Sequence, residues 1–277
     1  LFYTGSGITV DLTSDVDTLN SIEIIELTAG DDTFTNDATT RTINAGDGDD
    51  IINITVAGSD TINGGSNGVL GDTLNYSSYA GVVTVDLAGV SATGINTFSG
   101  IENVTGGSSD DSFTGDANAN TFIGNDGNDT FVYSAGGDTY TGGEAGETTG
   151  DTIDYSSYGA ALVVDLTAQT TDAGNTFSGI ENIIGSSTAA NTLTGNADDN
   201  TLTGGNQADS FYTAVGAGTD TFNGGAGTDT LFYTGSGITV DLTSDADTLS
   251  SIEVITLTAG GDTFTNDTTT RTINAGD

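Results

Sequence analysis

Short triplets of a polar, a hydroxyl and a large apolar residue recur every nine positions along this chain. In its middle part an Asp or Asn precedes Ser or Thr and then Phe or Tyr, at residues 111–113, 120–122, 129–131 and 138–140. Similar ladders occupy residues 32–74 and 191–231. This spacing matches neither the period of an α-helix nor the alternation of one long strand. It predicts short strands joined by turns, with two nonapeptides forming each coil of a stack and the apolar residues packed inside.

Glycines mark the turn before each triplet. The clearest copies are residues 45–53, 124–132 and 224–232, each with glycines early in the nonapeptide and Asp at its sixth position. Glycine adopts the positive φ values that other residues avoid, and it lets carbonyl oxygens approach closely. Ca²⁺ binds about six to eight oxygens from carboxylates and carbonyls alike. The pattern therefore predicts calcium ions held between successive coils.

The charge of the chain supports the same prediction. It has 40 acidic residues against two Arg and no Lys, a net charge of −38, and only 34% of its residues are hydrophobic. Ordering a chain costs about 1.5 kcal/mol per residue and neighbouring carboxylates repel, so this chain needs bound cations to fold.

The residue types that are missing exclude several functions. Without His, Cys or Lys the chain has no His/Cys zinc site, thiol nucleophile or Schiff-base lysine. Two cationic residues are too few for a nucleic-acid partner. No apolar stretch approaches the roughly 20 residues of a membrane span.

The chain also repeats itself on a longer scale. Residues 1–47 return at 231–277 with six differences, and a shorter cycle is marked by Tyr3, Tyr76, Tyr155 and Tyr233. We expect solenoid subrepeats at 1–75, 76–154 and 155–230, with 231–277 starting the next 230-residue repeat. The repetition predicts that the chain is an excerpt from a longer tandem array.

Segments of a second kind separate the ladders. Each contains an alternating apolar strand and then an Ile-Glu pair, at residues 22–23, 101–102, 180–181 and 252–253. We call the coils that carry these pairs the separator coils. Four equivalent copies do not suit a catalytic residue, so we expect Glu23, Glu102, Glu181 and Glu253 to be structural, for example by hydrogen-bonding the turn of a coil.

The nonapeptides resemble the repeats-in-toxin (RTX), or haemolysin-type, calcium-binding family, whose motif is Gly-Gly-x-Gly-x-Asp-x-apolar-x. The resemblance implies an all-β fold: a calcium-stabilised parallel β-solenoid (β-roll or β-helix) built from nonapeptide coils and intervening β-strand coils. It also implies several bound Ca²⁺ ions and a large, tandemly repeated bacterial surface protein that is exported by type I secretion.

The candidate calcium ligands are the turn glycines and the Asp or Asn residues of the nonapeptides. They are Asp32, Gly46, Asp47, Gly48, Asp49, Asp50, Asp60, Asp72, Asp110, Asp111, Asn120, Gly124, Asp126, Gly127, Asp129, Asp138, Asp151, Asp199, Asn200, Asp209, Asp220, Gly225, Gly227, Asp229 and Asp262. Asn120 and Asn200 replace the carboxylate by an amide, which predicts weaker sites or none. Arg41 and Arg271 stand where Asp is expected, either as built-in cations that pair with neighbours such as Asp32 or Asp50, or in surface ion pairs.

The function that we predict is structural. We expect an extracellular, secreted or cell-surface calcium-binding repeat protein that forms a rod in a filament, surface layer or matrix. The alternatives are the stalk of an RTX adhesin and the non-catalytic RTX module of a secreted enzyme.

We expect no enzymatic activity in this chain, because no carboxylate pair is unique within the array. A Thr-rich ice-binding face has no long Thr-x-Thr ladder to support it. The expected partners are further copies of the repeat, head to tail, and a cell-surface or matrix polysaccharide.

Overall fold

Every regular element of this protein is a β-strand in the part of the chain that the structure describes. The computed structural model describes residues 1–14, 19, 21–143, 145–244 and 247–276. Those residues include no helix that is long and apolar enough to cross a membrane. The chain divides into two compact units, Leu1–Thr148 and Thr149–Asp277, which are described separately below.

The first unit consists of short strands, most of them three residues long. They are β1 (Thr9–Asp11), β2 (Ile24–Glu26), β3 (Thr33–Thr35), β4 (Thr42–Gly48), β5 (Ile51–Asn53), β6 (Asp60–Asn67), β7 (Thr73–Asn75), β8 (Thr84–Asp86), β9 (Ser91–Ala92), β10 (Ile95–Ser99), β11 (Asn103–Thr105), β12 (Ser112–Thr114), β13 (Thr121–Ile123), β14 (Thr130–Val132) and β15 (Thr139–Thr141).

These strands stack in register along three columns of the first unit. One column has the order β1-β3-β5-β7-β11-β13-β15, the second β2-β4-β6-β10, and the third β8-β12-β14. The pairs within them are parallel, whereas β9 folds back antiparallel on β8. Parallel pairing of strands from successive coils defines a β-solenoid.

The second unit repeats this architecture. Its strands are β16 (Thr152–Asp154), β17 (Leu162–Asp165), β18 (Thr170–Thr171), β19 (Thr176–Ser178), β20 (Asn182–Ile184), β21 (Asn191–Thr194), β22 (Thr201–Gly205), β23 (Ser210–Ala214), β24 (Thr221–Gly225), β25 (Thr230–Thr234), β26 (Thr239–Asp241), β27 (Thr248–Ser250), β28 (Val254–Leu257), β29 (Thr263–Thr265) and β30 (Thr272–Asn274). The columns β17-β21-β23-β25-β28-β30, β16-β20-β22-β24-β27 and β26-β29 are parallel. The predicted all-β, parallel β-solenoid is therefore confirmed in each unit.

The core of each coil is formed by the middle residues of its strands. In the first unit Phe113, Phe122, Phe131 and Tyr140 are fully buried. Their rings pack on one another with centroid separations of 5.4 to 6.0 Å. Such ring pairs stabilise a core beyond the apolar area that they bury. The expectation that the aromatic residues are core rungs is confirmed for these four.

The repeated segments 1–47 and 231–277 share a strand register. Thr9 pairs with Thr33 between β1 and β3, and the equivalent Thr239 pairs with Thr263 between β26 and β29. The boundaries of the three shorter subrepeats stay a prediction.

We predict that Phe122→Ala destabilises the calcium-saturated protein by about 3–5 kcal/mol, because it removes a buried ring from the middle of an aromatic stack. Urea unfolding followed by circular dichroism measures the change. The control is Val69→Ala, since Val69 is 94% exposed and its truncation should change stability by less than about 0.5 kcal/mol. Equal effects of the two substitutions would contradict this account of the core.

Candidate metal centres

One hydrogen bond links the ladder carboxylates of successive coils. In the first unit the Asp32 amide donates to Asp50 Oδ1, and the Asp50 amide donates to Asp72 Oδ1, both at 2.7 Å. In the second unit the Asp209 amide donates to Asp229 Oδ1, also at 2.7 Å. Each carboxylate is thereby held inside its turn, directly beneath the previous coil.

The second oxygen of several ladder carboxylates is buried without a donor. Asp50, Asp72, Asp209 and Asp229 are at most 1% exposed. Within the described residues, the Oδ2 atom of each of these four has no hydrogen-bond partner. An ionised oxygen in such a position is costly unless a cation or a donor approaches it.

The pKa values of these groups reflect the same cost. Burial, with neighbouring carboxylates such as Asp50 and Glu102 as further causes, raises the pKa of Asp72 from 3.8 to about 7. Burial likewise raises the pKa of Asp50, Asp209 and Asp229. A bound cation would stabilise the ionised forms that the protein alone disfavours.

Three of the four open oxygens border a space beside a glycine that a backbone carbonyl also borders, and a side chain at that glycine would fill this space. A Cβ atom on Gly204 would collide with Asp209 Oδ2 and with the carbonyl oxygen of Gly224 from the next coil. We call a space beside a glycine that is bordered by a carboxylate oxygen and a carbonyl oxygen a cradle. Two further cradles are formed by Gly64 with Asp72 Oδ2 and Gly100 O, and by Gly224 with Asp229 Oδ2 and Ser251 O. Carboxylate and carbonyl oxygens that converge in this way are the donor set that Ca²⁺ prefers, so the residues present fit the predicted ion.

Other ladder carboxylates already have donors from the protein on their second oxygen. Asp32 Oδ2 accepts from the amide and hydroxyl of Thr28, at 2.7 and 2.8 Å. The remaining cases are Asp60 with Asn36 Nδ2, Asp111 with the Gly107 amide, Asp138 with Ser134 and Tyr140, and Asp220 with Thr213. The structure thus separates the predicted ligands into open carboxylates and carboxylates that the fold itself satisfies.

Two ladder Asn residues that were predicted as weak ligands, Asn120 and Asn200, instead donate to the carbonyls of separator glutamates. Asn120 Nδ2 donates to the Glu102 carbonyl at 3.0 Å, and its Oδ1 accepts the Asp116 amide at 2.9 Å. Asn200 likewise donates to the Glu181 carbonyl at 3.0 Å. A carboxylate could not donate to these carbonyls. Asn120 follows Glu102 by 18 residues, and Asn200 follows Glu181 by 19. This spacing of about one coil after a separator Glu is the signal that sequence reasoning missed.

The separator glutamates have the structural role that the sequence predicts. Glu102 Oε2 accepts the Asp72 amide at 2.9 Å, and Glu253 Oε2 accepts the Asp229 amide at 2.8 Å. Within the second unit, Glu181 Oε2 accepts the Asp151 amide at 2.8 Å. Glu therefore continues the ladder bond that Asp makes in the nonapeptide coils, and the prediction is confirmed for these three.

Arg41 pairs with Asp37 and not with Asp32 or Asp50. Its backbone amide donates to Asp60 Oδ1 at 2.8 Å, so Arg41 lies in the column of Asp60 and not in that of Asp32, Asp50 and Asp72. Both terminal guanidinium nitrogens contact the Asp37 carboxylate, and the Arg41 side chain is 4% exposed. Arg271 pairs with Asp267 in the same way, at 2.6 Å. The guanidinium is thus a buried internal cation, but its partner lies four residues before it.

The remaining predicted ligands lie along the turns. Gly46, Gly48, Gly127, Gly225 and Gly227 have φ values between 89° and 144°, and a side chain on any of them would meet backbone of the neighbouring coil. Five of the predicted carboxylates accept backbone amides of other turns. They are Asp49 with residues 69–71, Asp110 with Asn128, Asp199 with Thr219, Asp129 with Asp111, and Asp262 with Ile238. Asp47 and Asp126 are exposed. Gly124 lies against Asp129, and the Asp151 amide bonds Glu181 as described.

Coils that aim carboxylate and carbonyl oxygens into shared cradles define a calcium-binding repeat solenoid. Four matches to the model of the RTX calcium-binding nonapeptide repeat cover residues 96–131, 105–140, 185–217 and 215–231. These matches support the RTX calcium-binding repeat family for the part of the chain that they cover. A search of curated proteins found no match.

The family match covers part of the array that the structure displays. The ladder at residues 32–74 lies outside the matched residues. It nevertheless makes the same amide-to-carboxylate bonds, through Asp50 and Asp72. The structural repeat therefore extends beyond the residues that the family model matches.

We predict that the metal-free protein is more stable at pH 5 than at pH 8. The folded-state pKa of Asp72 lies near 7 and its ordinary value is 3.8, so the folded state binds protons more tightly. The resulting stabilisation is complete below about pH 4 and is lost as the pH rises through 7. The β-structure that the metal-free protein gains as the pH falls from 8 to 5, followed by circular dichroism, measures it. Asp72→Asn should reduce the pH dependence, whereas Asp86→Asn, a surface control, should not. Higher stability at pH 8 would refute the prediction.

Proposed function

We propose that this chain is a non-catalytic, extracellular structural module that forms a calcium-dependent rod within a filament, surface layer or matrix. The observation that carries the proposal is the set of buried, donor-free carboxylate oxygens of Asp50, Asp72, Asp209 and Asp229. These oxygens make the fold depend on a solute that is abundant outside cells.

The residues that would hold Ca²⁺ are those of the cradles. In the second unit they include Asp209 and the Gly224 carbonyl, and in the first unit Asp72. Bound Ca²⁺ supplies two positive charges and a flexible oxygen coordination shell. Mg²⁺ fits less well, because it demands near-octahedral geometry and retains its water ligands.

The proposed location follows from the family and from calcium concentrations. RTX repeat proteins are generally secreted. Extracellular calcium modules typically bind with dissociation constants of about 10⁻⁴ to 10⁻³ M, so they remain empty at the low free calcium of a cell interior. A chain with a net charge of −38 should then stay expanded until it is exported.

Self-association with further copies of the repeat is the partner that we favour. Residues 1–47 and 231–277 have nearly the same sequence and the same strand register. Among the described residues, strand β1 pairs with β3 on one side. Head-to-tail stacking of copies would continue the columns.

We predict that calcium removal unfolds the protein and abolishes its association. With millimolar Ca²⁺, circular dichroism should show β-structure, and sedimentation velocity should show association that increases with protein concentration. In excess EGTA at pH 8 the spectrum should become that of a coil, and the chain should sediment slowly as a monomer. Mg²⁺ at the same concentration is the control and should restore little structure.

Different results would refute the two parts of this proposal, calcium-dependent folding and rod formation. An unchanged β spectrum in EGTA would refute calcium-dependent folding. A calcium-loaded protein that remains monomeric at all concentrations would refute the rod.

A polysaccharide contact is a second candidate function, favoured by one aromatic surface of the second unit. Tyr212 on β23 stacks on Phe232 on β25 with a centroid distance of 4.6 Å and an angle of 6°. On its other side, the register partner of Tyr212 is the small residue Thr194. A cavity of about 280 Å³ opens there, lined by Tyr212, Thr194, Thr167 and Asn196 among others. A sugar ring could stack on the open face of Tyr212 and bond these polar groups. The acidic chain favours a neutral polysaccharide over a uronic-acid polymer.

We predict that Tyr212→Ala weakens binding of neutral polysaccharides at least tenfold, because it removes the stacking face. Affinity electrophoresis in calcium, with neutral and uronic-acid polymers in the gel, measures binding. Tyr79→Ala is the control, since Tyr79 packs edge-on against Tyr76 and is not one of the residues that line this cavity. The candidate function is wrong if Tyr212→Ala migrates as the unsubstituted protein does in every gel.

A further inference from the structure

At two junctions within single units, a separator coil meets a ladder carboxylate whose Oδ2 has no donor among the described residues. Asp72 faces Gly100 and Glu102 in the first unit, and Asp229 faces Ser251 and Glu253 in the second. We propose that each junction is a calcium site of a second kind, to which the separator coil contributes a carbonyl oxygen and a glutamate. This inference rests on the proposed calcium-dependent function.

The first junction presents an open carboxylate oxygen to a separator carbonyl. Asp72 is fully buried, and its Oδ2 has no donor among the described residues. That atom and Gly100 O both border the space beside Gly64, where a Cβ would collide with each of them. Two oxygen acceptors that face each other without a donor repel unless a cation lies between them.

The second junction has the same constellation in different residues. Asp229 is fully buried with a donor-free Oδ2, and it borders the space beside Gly224 together with Ser251 O. Ser251 has a φ of 52°, a left-handed conformation that is strained for a residue other than glycine. Gly100 has a φ of 61° at the equivalent position. The separator therefore keeps this conformation, which directs its carbonyl at the carboxylate, even where the residue is not glycine.

The separator also brings a second carboxylate to each junction. Glu102 Oε2 lies 2.9 Å from the Asp72 amide nitrogen, and Glu253 Oε2 lies 2.8 Å from that of Asp229. The longer Glu side chain reaches the amide that an Asp reaches between nonapeptide coils. Each junction thus combines two carboxylates, whose joint charge equals that of one Ca²⁺ in magnitude, with a carbonyl.

The opposite edge of each separator coil is satisfied by protein donors instead. Asn120 Nδ2 donates to the Glu102 carbonyl at 3.0 Å, and Arg271 Nε donates to the Ile252 carbonyl at 3.2 Å. The two edges therefore differ. At the edge that meets the preceding coil, carboxylate and carbonyl oxygens face each other without a donor. At the edge that meets the following coil, Asn and Arg side chains donate to the separator carbonyls. Only the first arrangement requires an ion.

Native mass spectrometry of the calcium-loaded chain tests the proposal by counting bound ions. Asp72→Asn and Asp229→Asn should each bind one Ca²⁺ fewer than the unsubstituted protein, and the double variant two fewer. The Asn amide can donate to the separator carbonyl as Asn120 does, so the variants should fold, which circular dichroism verifies. Asp209→Asn, at a site between nonapeptide coils, should also lose one ion, and Asp86→Asn, on the surface, none.

Glu102→Gln tests the contribution of the separator glutamate. It keeps an oxygen acceptor for the Asp72 amide and removes the charge. At a calcium concentration at which Asp86→Asn retains every ion, Glu102→Gln should lose one, and full retention would overturn the role of Glu102.

The junction proposal is overturned if Asp72→Asn and Asp229→Asn retain every ion while Asp209→Asn loses one. That result would leave the proposed function standing. Absence of bound calcium in the unsubstituted protein would refute the proposed function itself.

Discussion

Each ladder carboxylate bonds the previous coil through one oxygen, and its other oxygen decides whether the turn needs an ion. Asp50 Oδ1 accepts the Asp32 amide, which fixes the carboxylate in a buried position, while its Oδ2 has no donor within the described chain. Burial of an unpaired ionised oxygen opposes folding by several kcal/mol unless charge is supplied. The chain has two cationic residues, and Arg41 and Arg271 are already paired with Asp37 and Asp267. The missing positive charge must come from solution.

This constraint unites the stability of the protein with its proposed role. The core of each coil is narrow, because a three-residue strand such as β13 buries only Phe122 at its centre. Coils therefore depend on their neighbours, both through stacked aromatic rings and through the cradles between turns. A module of this kind gains rigidity when ions fill the cradles, and further copies can extend its columns. Those properties suit a structural element outside the cell.

Much of the fold follows from spacing, whereas the site follows from spacing only in part. The nine-residue interval predicted coils and the inward orientation of Phe113, Phe122 and Phe131, since period and packing are local properties. The interval did not distinguish Asp60 from Asp72, although both occupy the ladder position. Asn36 donates to Asp60, and no donor in the described residues reaches Asp72 Oδ2. The amide role of Asn120 was equally hidden, because it depends on a contact between coils. The nine-residue interval also did not indicate the pairing of Arg41 with Asp37, four residues earlier. So was the stack of Tyr212 on Phe232, whose rings come from successive coils.

The sequence by itself determined the class of fold, the inward-facing residues, the acidic and glycine-rich turns and the excess of negative charge, because these depend on periodicity, residue type and net charge. Only the tertiary structure decided which carboxylate oxygens remain open. The closing of each turn decides whether a donor reaches the carboxylate, as Thr28 reaches Asp32 and Thr213 reaches Asp220. The stacking of coils decides which carbonyls lie beside the open oxygens, as those of Gly100, Gly224 and Ser251 do. Hydrogen bonding acts over about 3 Å, and distances that short are established only when the coils pack.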